Sequence, residues 1–183
     1  KYEISKDEHI ILKKYCDSRQ IDFLSTPYDV ESAKLLTKLN VKMFKTASAD
    51  IVDYQLHRYI ASTYKPTIIS TGMSTIDEIN ATLSYYNNSK SSVILLHCVS
   101  NYPCSIGSIN LNSIDFLRNK FNLPIGYSDH SSDNLAAVLS IALKTKVIEK
   151  HFTLDKEMKG PDHKCSSSLI SIAASITEKI LFA

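Results

Sequence analysis

LLHCVSNYP (95–103), IGYSDH (125–130) and VIEKHF (147–152) decide the fold. Each opens as a short apolar run of the kind buried in parallel sheets. Each closes on hydroxyl, imidazole or carboxylate groups. Working outward, FLST (Phe23–Thr26), FKTAS (Phe44–Ser48) and IIST (Ile68–Thr71) repeat the pattern. The spacing predicts strands over 23–26, 41–48, 67–71, 92–98, 124–128 and 147–152. Helical periodicity fills the gaps. One helix starts at Ser5, with Glu8 completing a capping box. Others cover 29–40, 54–63, 75–86, 111–121, 134–143 and 168–182. Strict alternation implies right-handed βαβ units and a parallel sheet. A doubly wound sheet usually carries a glycine-rich phosphate turn. This chain has four glycines and neither GxGxxG nor GxxxxGK[ST]. A (β/α)8 TIM barrel instead draws catalytic groups from the ends of many strands, as here. The expected fold is therefore α/β, a TIM barrel incomplete in this chain. Six strands stand for the usual eight, and because the chain opens with a helix the two missing strands are placed N-terminally.

Composition narrows the function. The chain has 183 residues, 44% apolar and 22% charged, with net charge +2. That suits one globular domain and offers no electrostatic footprint for nucleic acid or an anionic membrane. No apolar run approaches the ~20 residues that span a bilayer. KYEISKDEHI at the N-terminus is no signal peptide. Cys16, Cys98, Cys104 and Cys165 form no CxxC pair, which reads as reduced thiols in a cytoplasmic protein. The chain opens on Lys1 without a Met and ends in the apolar ILFA; the expectation is a piece of a longer protein.

Two chemistries stand out at the strand ends. Thr26, Lys45, Ser48, Ser70, Ser100 and Ser128 could hold a phosphate with hydroxyls and one ammonium. Singly, each hydroxyl is better explained as a helix cap or turn former. Lys45 is harder to dismiss, since a lysine in a buried strand needs an anionic partner. His130 and His151 each close a strand, 21 residues apart. Together they could bind a divalent ion with positions left open for substrate, with Asp129 and Glu149 as supporting groups. Either alone is more often a hydrogen-bonded core histidine. His97 either borders the pocket or is a satisfied strand residue, while His9 and His57 are placed on surface helices without a role. In KGPDHKCS (159–166) the Gly-Pro turn presents Asp162, as a solvated turn former or as a carboxylate over the barrel mouth. Cys98 and Cys165 are assigned to packing.

FLSTPYD, FKTASAD, STGMST, LLHCVSNYP, GYSDH, IEKHFTLD and KGPDHKCS occur here in order. Together they resemble the sialic acid synthase family (N-acetylneuraminate synthase and its relatives). The likeness covers nearly the whole chain as one partial barrel domain, 1–183. It implies an enzyme that condenses phosphoenolpyruvate with an N-acetylated amino sugar such as N-acetylmannosamine, giving a sialic acid and phosphate. It also implies a divalent cofactor, typically Mn²⁺ with Mg²⁺ or Co²⁺ as alternatives, and a homodimer in the full-length protein. Carried over, the metal ligands fall on His130 and His151. The phosphoenolpyruvate contacts fall on Thr26, Lys45, Ser48, Ser70, Ser100 and Ser128, and the sugar-contacting or catalytic groups on Asp50, Tyr102 and Asp162. The family's N-terminal strands and C-terminal antifreeze-like domain have no counterpart here, and Ala49 stands where a glycine is common. Rival readings are a legionaminic, pseudaminic or spore-coat synthase of the same family, a metal-dependent aldolase, and a remnant acting as a binding module.

Overall fold

The computed structural model describes residues 4–87 and 89–168, and the backbone of 180–182. Helix α1 (Lys6–Ser18) starts where the capping box predicts: Glu8 N–H donates to Ser5 Oγ at 3.3 Å and Ser5 N–H to Glu8 Oε2 at 2.6 Å. Helix α2 (Val30–Lys38) is capped by Asp29 and followed by Asn40 at φ 53°. Strand β1 (Phe44–Thr46) leads through a 3-10 turn (Ser48–Asp50) to α3 (Tyr54–Ser62). Then come β2 (Thr67–Ser70), α4 (Ile76–Ser84) and β3 (Val93–Cys98). A second 3-10 turn (Ile106–Ser108) precedes α5 (Asn112–Phe121), β4 (Ile125–Asp129), α6 (Leu135–Ala142) and β5 (Ile148–Lys150). Strand β6 is Ile180–Phe182.

Among the described residues the six strands are parallel and lie in chain order, each bonded to the next. Alternation along them sorts side chains to two faces. Phe44, Ile69, Leu95, Ile125 and Tyr127 join Ala33, Leu36, Leu56, Ile60, Ile114 and Leu117 of the helices in one buried core. Lys45, Ser70, Cys98, Ser128 and Glu149 line a cleft on the other face. Helices on one face and polar groups on the other make the wall of a barrel rather than a doubly wound sheet. No helix among the described residues is long and apolar enough to cross a membrane.

Two expected elements change. The run Phe23–Thr26 is not a strand. Phe23 packs against the core and Asp22 pairs with Lys42 at 2.5 Å, yet the segment joins no ladder. Its apolarity signals burial, and burial alone does not make backbone hydrogen bonds. The helix expected over 168–182 is contradicted at its end, because Ile180–Phe182 is a strand paired with β5; residues 169–179 lie outside the described residues. Five of the six described strands are thus those expected, and the sixth, Ile180–Phe182, stands where a helix was expected.

Candidate active site

A cleft of about 430 Å³ opens at the carboxyl ends of the strands. Register explains why. Cys98 lies opposite Ser128, and Ser128 opposite Glu149, so like-facing residues of β3, β4 and β5 form one row. Of the residues expected at a site, Thr26, Lys45, Ser48, Ser70, Ser100 and Ser128 all line this cleft, as do Tyr102, His130 and His151. Asp50 and Asp162 do not line it. Asp162 stands beside it, with Oδ2 3.9 Å from His151 Nδ1. Asp50 sits in the 3-10 turn after β1, its Oδ2 buried with no hydrogen-bond partner among the described residues. Burial, reinforced by Asp53 and opposed by Lys45, raises its pKa above the usual carboxylate range.

Lys45 does have its anionic partner. Its ammonium is buried, donates to the Thr46 carbonyl at 2.9 Å and lies 3.4 Å from Glu149 Oε1. An ammonium has three donors, so it retains capacity for a further anion. Ser48 Oγ accepts from Gly72 N–H at 2.9 Å and stands 3.1 Å from Cys98 Sγ. This pins one hydroxyl of the anion set between two strand ends.

One imidazole of the pair is held in a fixed orientation. His130 Nδ1–H donates to the Val99 carbonyl at 2.7 Å, since a carbonyl only accepts. When the ring is neutral this leaves the Nε2 lone pair, which the Ser128 hydroxyl meets at 3.2 Å. Burial, with the neighbouring His151 in support, holds the His130 pKa below the ordinary histidine value. The two rings stand 5.6 Å apart, and Tyr102 covers them, 4.1 Å from His130 and 5.6 Å from His151. Burial raises the Tyr102 pKa, so its phenol stays protonated at neutral pH. Among the described residues no group of three or more His, Cys, Asp or Glu is placed to hold a metal ion. The donor set instead fits an ion held by two imidazoles with other positions open, and the tie to Val99 is the orienting contact such a ligand needs.

Sequence reasoning placed Glu149 only as a supporting group and Cys98 in packing, and did not find Tyr28 or Met73; all four line the cleft. Period-two spacing carried the signal for two of them: Glu149 precedes His151, and Cys98 precedes Ser100, by two residues. His57, expected on the surface, is fully buried, with Nδ1 2.9 Å from Tyr86 Oη.

The NeuB family model matches residues 1–178. The chain belongs to the NeuB family. This NeuB-family chain is 49% identical over 166 residues to an uncharacterized protein of Methanocaldococcus jannaschii, covering 90% of this chain and 49% of the relative. It is 41% identical over 169 residues to an N,N'-diacetyllegionaminic acid synthase of Legionella pneumophila, covering 90% and 48%. The crystal structure of an N-acetylneuraminic acid synthetase from Leptospira borgpetersenii superposes with a TM-score of 0.90 at 36% identity, covering 94% of this chain and 60% of that one. The chain thus spans about half the length of the curated relatives it matches.

Proposed function

We propose that the full-length protein condenses phosphoenolpyruvate with an N-acetylated amino sugar and one water, which adds to the enol carbon as the carbon–carbon bond forms, releasing phosphate and a sialic-acid-type α-keto acid. One observation carries the reading: Lys45 and the hydroxyls of Ser48, Ser70 and Ser128 share a cleft with the neighbouring imidazoles of His130 and His151, the first oriented by the Val99 carbonyl. A phosphate monoester needs the first set, and an aldehyde awaiting carbon–carbon bond formation needs the second. The six strands belong to a complete (β/α)8 barrel in that protein, which acts in the cytoplasm as a homodimer.

Lys45 and the serine hydroxyls would hold the phosphate and carboxylate, fixing the methylene carbon against the sugar's aldehyde carbon. Thr26 and Ser100 extend this set at the cleft's margin. His130 and His151 would hold a divalent ion, most simply Mn²⁺, with Mg²⁺ or Co²⁺ as alternatives. Such an ion supplies Lewis-acid polarisation of the aldehyde oxygen. Tyr102, over both imidazoles, would shield them from bulk water and contact the sugar. Asp162, beside His151, would orient sugar hydroxyls. Asp50, its carboxyl pKa raised by burial, would orient a sugar hydroxyl or move a proton from the turn after β1.

The test is phosphate release from phosphoenolpyruvate with Mn²⁺, using N-acetylmannosamine and a 2,4-diacetamido hexose in turn. Sugar-dependent, chelator-sensitive release supports the reading, and the preferred sugar separates sialic from legionaminic or pseudaminic products. Turnover without phosphate release would favour an aldolase, and no release with any sugar in a folded, Mn²⁺-binding protein would overturn the proposal.

A further inference from the structure

Asp129 and Lys150 directly precede the two imidazole residues. They are register partners at the ends of β4 and β5, on the sheet face away from the cleft. Their side chains are 0% and 3% exposed, and Lys150 Nζ meets Asp129 Oδ2 at 2.9 Å. The ammonium's other two donors go to the Ser131 carbonyl at 2.5 Å and the Asp133 carbonyl at 2.9 Å. The carboxylate is equally occupied, with Oδ1 accepting from Ser131 N–H at 2.9 Å and Tyr127 Oη–H at 3.2 Å. Lys150, attached to His151, therefore grips the backbone that follows His130. A buried ion pair is a weak source of stability, because desolvating both charges offsets their attraction. A full set of partners on both charges nonetheless permits one arrangement of the two strand ends.

We infer that the Asp129–Lys150 pair is a positioning device that sets the separation of His130 and His151, and so the affinity of the site for a divalent cation. The inference rests on reading those imidazoles as the metal ligands. Neither charged group touches the ion or the substrate; both act through the backbone.

The experiment is a Mn²⁺ titration of the longest available chain carrying this sequence, followed by the resonance signal of free Mn²⁺, with His151→Ala as control. The double variant D129N/K150M removes both charges together and leaves no lone buried ion. It should fold, yet bind Mn²⁺ about 10- to 100-fold more weakly. Metal-free phosphoenolpyruvate binding, by calorimetry, should fall far less than Mn²⁺ binding, since Lys45, Ser48 and Ser70 lie outside the two strands and only Ser128 of the set named above lies on them. Wild-type Mn²⁺ affinity in the folded double variant would overturn the inference. So would parallel losses of Mn²⁺ and phosphoenolpyruvate binding, the mark of general loosening. If the double variant does not fold, Asp129→Glu carries the same test, keeping both charges but displacing the carboxylate by a methylene. Undiminished binding in His151→Ala would instead remove the metal reading itself.

Discussion

His57 gives the most quantitative prediction. It lies in α3 with no exposed surface, its Nδ1 against Tyr86 Oη and its Nε2 without a hydrogen-bond partner among the described residues. Burial pushes its pKa down to about 4, with the Asp50 backbone and the Asp53 carboxylate opposing less strongly. An unfolded chain takes up that proton near pH 6.5. The native state refuses it until about pH 4. The contribution is therefore complete above about pH 6.5, declines by about 1.4 kcal/mol per pH unit below it, and levels off under pH 4. Between pH 7 and pH 5 one such group costs about 2 kcal/mol of folding stability. His57→Asn keeps a polar atom near the Nδ1 position for Tyr86 and cannot titrate. Urea unfolding at pH 7, 6 and 5 should show the wild type losing about 2 kcal/mol more than the variant over that interval. Identical pH dependence in the two proteins would refute the argument, since a buried neutral imidazole cannot be silent in this window.

Three further outcomes follow from the cleft and the sheet. Lys45→Met should raise KM for phosphoenolpyruvate about 10- to 100-fold, the loss of one charge-assisted contact, in steady-state phosphate-release assays. Gly126→Ala should lower stability by about 1–3 kcal/mol, read as a shifted urea midpoint. Its Cβ would lie 2.6 Å from the Val147 carbonyl, which is held in place by Tyr127 N–H at 2.9 Å. His151→Ala should abolish phosphate release and saturable Mn²⁺ binding together; normal turnover with an unchanged metal requirement would exclude His151 as a ligand.

The helices were legible because their signals are local. Ser5 with Glu8 and Thr75 with Glu78 form capping boxes, and Asn122 ends α5 at φ 51°. The cleft was legible because parallel strands deliver their last residues to one edge. What escaped depends on partners distant in sequence. Phe23–Thr26 is apolar enough for a strand, but a strand exists only where a neighbour offers a ladder. His57 reads as polar and hence exposed, yet it lies on the stripe with Leu56, Ile60 and Ala61, and only Tyr86, 29 residues away, makes its burial tolerable. Asp162 was read from its Gly-Pro turn, whereas Asp50 was reached only through resemblance, which specifies residue type and not the conformation of the turn that carries it.

Since each strand bonds to the one that follows it in the chain, the sheet can be laid down in the order of synthesis. No strand waits for a partner made much later, so loop-closure entropy is met in small, similar steps. As each βα unit leaves the ribosome it has an edge ready to receive it. The two imidazoles follow β4 and β5 and so emerge after Lys45 and Ser70, whose part of the wall is in place before the proposed metal site closes over it.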